Sequence, residues 1–178
     1  MTPPNLALDA NGIQQILEER ARTLARSAAD ESVVKTMPLV ELVIGAEHFG
    51  VNLHQVQEIQ PLKGLTPVPG VGAHWAGVVN LRGRLYPVLD LRHYLGHPAF
   101  AVPDGGQIVL VAAAKLEVAL WTSDVLGVRH VPQDDIQPSM LDARGVPQNL
   151  IAGVTSDLLS VLDLDVLLSD PKLAVKDN

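Results

Sequence analysis

The chain has 178 residues, a formal net charge of -7 and no cysteine, and 47% of its residues are hydrophobic but only 3% aromatic. This composition allows one ordinary domain with an aliphatic core, and it excludes a disulfide framework and a zinc-thiolate site. The negative charge argues against a nucleic-acid binder, because such proteins gain affinity by neutralising phosphates.

The sequence also predicts a cytoplasmic protein. Residues Met1–Pro4 do not combine a basic segment with a following apolar one, so we expect no signal peptide. There is no run of about 18 apolar residues, so we expect no transmembrane helix and no direct membrane insertion.

Residues 1–37 are predicted to form a flexible tail and one amphipathic helix. Asn11 can cap a helix that runs from about Gly12 to Ala29. Its apolar face carries Ile13, Leu17, Leu24 and Ala28. Such a helix either packs on its own domain or docks onto a partner, and both interpretations stay open.

From Pro38 onward the pattern is that of short β-strands separated by loops rich in proline and glycine. Strands are predicted at 39–44, 49–53, 76–81, 85–89, 108–112, 116–122, 151–156 and 159–164. Two further short segments, Val56–Ile59 and Val125–Val128, lie between these runs. A short helical segment is predicted at Asp163–Leu168, before a polar tail at 171–178.

The most informative stretch is the hairpin within Ala76–Leu91. Its two apolar strands are joined by Arg82-Gly83-Arg84, a predicted three-residue turn in which glycine can adopt a positive φ angle. The turn would carry two cations to the tip of the hairpin. Asp90 is predicted to cap a helical turn over Leu91–Leu95, and Gly96 to end it.

The two halves of the chain repeat some of these signals in the same order. Ala76-Gly77-Val78 recurs as Ala152-Gly153-Val154, and Val88–Leu91 recurs as Val161–Leu164. We interpret the repeat as two similar small β-lobes that close into barrels. The first hairpin is longer at Asn80–Arg84, which barrel closure does not require, so its tip is a candidate working surface.

The sequence predicts no catalytic residue, no cofactor and no metal. His93 and His97 are four residues apart, but Gly96 and Pro98 interrupt the helix that would align them on one metal ion. Phosphate-loop and nucleophile-elbow motifs are also absent from the sequence. We therefore predict a binding protein rather than an enzyme, with an enzyme using a histidine site as a competing hypothesis.

Four side chains are candidates for contact with a partner. Arg82 is either a solvated cation, a charge-assisted contact to a partner, or one half of a salt bridge that shapes a groove. Glu58 can equally be a protective charge on an edge strand. Val56 and Ile59 can belong to the core or to an interface.

At these residues the sequence resembles the CheW family of chemotaxis coupling proteins. The resemblance covers about residues 38–168. The motifs that carry it are Val56–Ile59, Gly77–Gly83, Pro87–Arg92, Val125–Val128 and Leu162–Leu164.

The resemblance implies an all-β fold of two intertwined five-stranded SH3-like β-barrel lobes, to which the N-terminal helical extension and short helical turns are added. The CheW-like domain would span 38–170, with one lobe at about 38–95 and the other at about 107–168.

The resemblance further implies a non-catalytic adaptor that couples the cytoplasmic tip of methyl-accepting chemoreceptors to the regulatory domain of the histidine kinase CheA. Such an adaptor would be recruited to membrane-bound receptor arrays. The implied protein-binding residues are Arg82, Glu58, Val56, Ile59, Gly77, Asn80 and Gly83. The alternative is a stand-alone β-barrel scaffold for another peptide or protein.

Overall fold

A computed structural model describes residues 35–96, 105–138 and 148–173. From Thr36 onward the chain forms one compact unit. The predicted helix at 12–29 and most of the two predicted loops, at 97–104 and 139–147, lie outside the described residues.

The described residues form ten strands and two short helices, close to the predicted positions. The strands are β1 (Thr36–Ile44), β2 (Glu47–Asn52), β3 (Val56–Pro61), β4 (Trp75–Leu81), β5 (Arg84–Asp90), β6 (Gln107–Ala113), β7 (Leu116–Thr122), β8 (Asp124–Pro132), β9 (Ile151–Val154) and β10 (Ser160–Leu162). The helices are α1 (Leu91–Tyr94) and α2 (Leu164–Leu168). The clearest difference is β8, which is much longer than its predicted core at Val125–Val128.

Within the described residues the strands form two five-stranded sheets, which confirms the predicted fold class. Sheet A has the order β8-β1-β2-β10-β9, and sheet B has the order β3-β6-β7-β5-β4. In both sheets a hairpin lies in the centre, and it pairs in parallel with the last strand of the other half of the chain: β2 with β10, and β7 with β5. The two halves are therefore intertwined.

This exchange of hairpins corrects the predicted lobe boundaries. The ranges 38–95 and 107–168 do not correspond to the two sheets, because each half gives its first hairpin to the sheet that holds the other half's last three strands. Burial alternation along a strand indicates which face is buried, but it does not indicate which strand is the neighbour. The repeat in the sequence is real, and the sheets are assembled across it.

Sheet B is closed by a pairing between β4 and a residue that lies outside the named strands. Beyond β3 the chain returns to β4, where Thr66 N–H donates to the Val78 carbonyl at 2.9 Å and Val78 N–H donates to the Thr66 carbonyl at 2.8 Å. We call this pairing the seam of sheet B. Gly77 lies beside it with a φ angle of 145°.

Sheet A closes in the same way. Beyond β8, Gln137 exchanges two backbone hydrogen bonds with Val154 on β9, at 3.1 and 2.8 Å. This pairing is the seam of sheet A. A Cβ atom on Gly153 would lie 2.6 Å from the Cγ2 atom of Ile136 and 2.9 Å from the Gln137 carbonyl oxygen. The repeated Ala-Gly-Val motif therefore marks the place where the returning chain approaches the edge strand.

The largest apolar cluster lies between the two sheets. It combines side chains from β1 and β2, from β5 to β7, and from both helices. Two smaller clusters fill the sheets separately, one around Trp121 in sheet B and one around Leu159 in sheet A. Because the shared cluster is the largest, the two sheets are expected to fold together.

Both helices begin at the aspartate of the repeated Leu-Asp-Leu motif. Asp90 accepts hydrogen bonds from the backbone N–H groups of Arg92 at 3.0 Å and His93 at 3.4 Å, and Asp163 accepts from Val166 N–H at 3.0 Å. The predicted cap at Asp90 is confirmed. Asp90 also binds the Arg92 guanidinium at 3.0 Å, and that guanidinium lies 3.9 Å from the centre of the Trp121 ring.

We expect Asp90→Ala to destabilise the protein by about 3–5 kcal/mol, because it leaves the buried Arg92 cation without its carboxylate. Asp163→Ala is the matched control, and it should lose only the capping contribution of about 1 kcal/mol. Urea denaturation of the two variants measures the difference. Equal losses would contradict a structural role for the Asp90–Arg92 pair.

Candidate protein-binding site

The turn between β4 and β5 comprises two residues rather than the predicted three. Arg82 and Gly83 both have positive φ angles, 52° and 86°, and Leu81 pairs directly with Arg84. Two left-handed residues form the turn whose twist matches that of the flanking strands. Arg84 therefore belongs to β5, and only Arg82 remains as a cation at the tip.

Arg82 forms an ion pair that crosses from the hairpin tip to β3. Its Nη2 atom lies 3.0 Å from the Oε1 atom of Glu58. The Arg82 side chain is 83% exposed, and the Glu58 side chain 26%. A pair this exposed contributes at most about 1 kcal/mol to stability. A guanidinium has five N–H donors, and this ion pair uses one of them, so Arg82 can also bind an acidic group on a partner.

The second cation of the hairpin points to a different acid. The Nη2 atom of Arg84 lies 2.6 Å from the Oε2 atom of Glu117 on β7, and its guanidinium lies 5.1 Å from the centre of the Tyr86 ring. The prediction of two cations at one tip is thereby corrected. Arg84 ties β5 to β7 within sheet B, whereas Arg82 reaches across to β3.

The remaining residues predicted to bind a partner differ in their solvent exposure. Asn80 is exposed, and its side-chain oxygen accepts a hydrogen bond from Gly83 N–H at 2.9 Å. Ile59 follows Glu58 on β3 and is 39% exposed. Val56 is half-buried against the shared apolar cluster. Gly77 is buried at the seam of sheet B.

Sheet A carries a corresponding ion pair that the sequence reasoning missed. The Nη2 atom of Arg129 on β8 lies 2.5 Å from the Oδ2 atom of Asp157 in the β9–β10 turn. In sheet B the strand provides the acid and the turn provides the base, and in sheet A these roles are reversed. The two ion pairs therefore share a turn-to-strand geometry, but the turns carry opposite charges.

The Arg129 pair continues into a network on the outer face of sheet A. Glu41 accepts a hydrogen bond from Arg129 at 3.2 Å, and its other oxygen lies 2.7 Å from the Nδ1 atom of His48. The contact with His48 and the neighbouring Arg129 cation lower the pKa of Glu41, although burial opposes them. Charges within apolar strands were the only sequence signal for this network, because the partners come from three separate strands.

A lowered carboxyl pKa makes this network sensitive to acid. The Glu41 carboxylate contributes stability above its ordinary pKa of 4.5, and this contribution is lost as the pH falls through its pKa in the folded state. We expect Glu41→Gln to be less stable than the native chain at pH 7 and the gap to narrow in acid. Urea midpoints measured across the pH range test this, and a constant gap would contradict it.

The part of the chain that the structure describes contains no group of three or more histidine, cysteine, aspartate or glutamate side chains arranged to hold a metal ion. His93 lies in α1, whereas His97 lies outside the described residues. None of the described helices is long and apolar enough to span a membrane.

The profile of the CheW-like domain family matches residues 38–172. The chain is 31% identical to Chemotaxis protein CheW of Rhizobium meliloti over 131 residues, covering 71% of this chain and 84% of the relative. It is 27% identical to Chemotaxis protein CheW of Bacillus subtilis, covering 73% and 85%, and 27% identical to Protein PilI of Pseudomonas aeruginosa, covering 78% of each.

Among solved structures, the chain is similar to the scaffolding protein TtCheW from Thermoanaerobacter tengcongensis. The TM-score is 0.69 at 19% sequence identity, and the match covers 80% of this chain and 98% of that protein. At this identity the likeness concerns the fold. The family profile includes strands of both sheets.

Proposed function

This chain belongs to the CheW-like family of chemotaxis scaffolds and adaptors, which are not catalysts, and from that membership we propose that it couples methyl-accepting chemoreceptors to the histidine kinase CheA. The observation that carries the proposal is the family match over residues 38–172. It includes both seams and the Arg82 hairpin, so the whole coupling surface would lie within this one domain.

We place the contact with the regulatory domain of CheA at the tip of sheet B. Arg82 offers an exposed guanidinium, and Glu58 holds it at 3.0 Å without burying it. A cation that is oriented before binding loses less conformational freedom when a partner carboxylate arrives. Gly83 contributes the left-handed turn on which Arg82 depends.

We place the receptor contact on the side of β3. Ile59 exposes apolar surface there, and extended receptor helices dock through apolar side chains. Val56 supports this strand from the shared core, and Gly77 keeps the seam closed behind it. Adaptors held in this way between a receptor and a kinase would gather at the membrane although the protein itself remains cytoplasmic.

The proposal is tested by binding of the full chain to the isolated regulatory domain of CheA and to a soluble fragment of the receptor tip. We expect both to bind independently, and Arg82→Glu to abolish binding of the regulatory domain selectively. Absence of any binding to the regulatory domain at tens of micromolar protein would refute the coupling role. It would leave a scaffold for a different partner.

A further inference from the structure

Asn80 occupies an unusual place for a residue predicted to contact a partner. It lies near the end of β4, opposite Leu85, and Leu81 separates it from the turn. Its side-chain oxygen accepts the Gly83 N–H at 2.9 Å, so its acceptor is directed at the turn. From this geometry we propose that Asn80 is a positioning residue, which acts on partner binding only through Arg82; the inference rests on the proposed function.

The backbone of Arg82 explains why such help is needed. With a φ angle of 52°, Arg82 is in the left-handed region, which an L residue with a side chain rarely adopts. The hydrogen bond from Gly83 N–H to Asn80 fixes the peptide that follows Arg82. It therefore favours the left-handed turn over the alternatives that an arginine would otherwise prefer.

The direction of the Arg82 side chain depends on that backbone conformation. Only with the turn held in place does the guanidinium cross to β3 and meet Glu58 at 3.0 Å. Because the pair is exposed and weak, it cannot impose the turn by itself. Asn80 therefore holds the turn, and the turn sets the orientation of the Arg82 side chain.

The two-residue turn between β6 and β7 is also held by a side chain from outside it. Ala114 and Lys115 join β6 to β7 with φ angles of 50° and 64°. There the backbone N–H of Ala114 donates to the Oδ1 atom of Asp165 at 3.0 Å. In both turns a side-chain oxygen from outside the turn holds a left-handed residue in place.

The test is a double-mutant cycle on the full chain, with the regulatory domain of CheA as the probe. We expect Asn80→Ala to weaken binding threefold to tenfold, the equivalent of one ordinary hydrogen bond. Asn80→Asp keeps an acceptor oxygen and should restore binding. In an Arg82→Ala background, Asn80→Ala should have no further effect. Additive losses would mean that Asn80 touches the partner itself, and they would overturn the proposal.

A second measurement needs no partner. In nuclear magnetic resonance spectra, Asn80→Ala should abolish the protection of the Gly83 amide against hydrogen exchange and the left-handed chemical shifts of Arg82, whereas Asn80→Asp should keep both. Unchanged spectra would also overturn the proposal. If Arg82→Ala binds the regulatory domain of CheA normally, the proposed function of Arg82 fails, and the spectra still decide the role of Asn80.

Discussion

A Gly77→Ala variant is expected to lose more than about 3 kcal/mol of stability, a large share of the total for a domain of this size. The added Cβ atom would lie 2.3 Å from the Thr66 carbonyl oxygen and 2.8 Å from its carbonyl carbon. Both are backbone atoms of the Thr66 carbonyl, which accepts the Val78 N–H in one of the two hydrogen bonds of the sheet B seam. The clash can therefore be relieved only by opening the seam.

A matched control separates this clash from the strain of the backbone angle. Gly127 also has a φ angle far into the positive range, 129°, but a Cβ atom there would meet nothing within 4 Å. Gly127→Ala should thus carry only the strain of the backbone angle, about 1–3 kcal/mol. Urea denaturation of both variants, with hydrogen exchange at Val78 as a local probe, gives the comparison. Equal losses would rule out the seam as the reason for Gly77.

Gly77 thus has a structural role at the seam of sheet B. The residue was predicted as part of a binding surface because it belongs to a family motif. Its position beside Thr66 gives a sufficient structural reason for glycine, and Gly153 has the same reason in sheet A. Loss of binding in a Gly77 variant would therefore follow from an open seam.

The local features of the fold could be predicted because they depend on neighbours in the sequence. Short apolar runs between segments rich in glycine and proline predicted the strands, and Asp90 predicted a helix start, since a cap acts within three residues. The all-β class and the repeat of the Ala-Gly-Val motif were equally visible. The pattern of apolar residues along the chain indicates the type of element, and the capping residue indicates where a helix begins.

The pairing of strands could not be predicted in the same way. Sheet B combines β3 to β5 with a hairpin that comes later in the chain, and nothing local distinguishes that arrangement from two separate lobes. The same limit applies to the network of Glu41, Arg129 and Asp157. Their charges were visible in the sequence, but they meet only because β8 pairs with β1.

The turn at Arg82 is an intermediate case. The sequence indicated a glycine-containing turn, and the structure contains one. The three-residue length was wrong because Arg82 itself adopts the left-handed conformation, which arginine seldom does. The shorter turn separates Arg82 from Arg84, and this separation makes Arg84 available as a control for the function of its neighbour.

Arg82→Glu is expected to weaken binding to the kinase regulatory domain roughly 100-fold, because an exposed cation that meets an acidic group would be replaced by a repelling charge. Stability should change by less than about 1 kcal/mol, since the Arg82 side chain is 83% exposed. Arg84→Ala is the matched control in the same hairpin. It removes a cation paired with Glu117 and should alter binding by less than about threefold.

A charge exchange between Arg82 and Glu58 distinguishes the two ways in which the pair can act. The double variant Arg82→Glu, Glu58→Arg keeps an ion pair across the seam but places the anion at the tip. If Arg82 binds the partner directly, the double variant stays as weak as Arg82→Glu. If binding instead depends only on the bond between the two residues, the exchange restores it. Recovered binding would mean that Arg82 acts by stabilising sheet B and that the partner binds elsewhere. Binding that stays weak while stability is unchanged is the result that a direct contact requires.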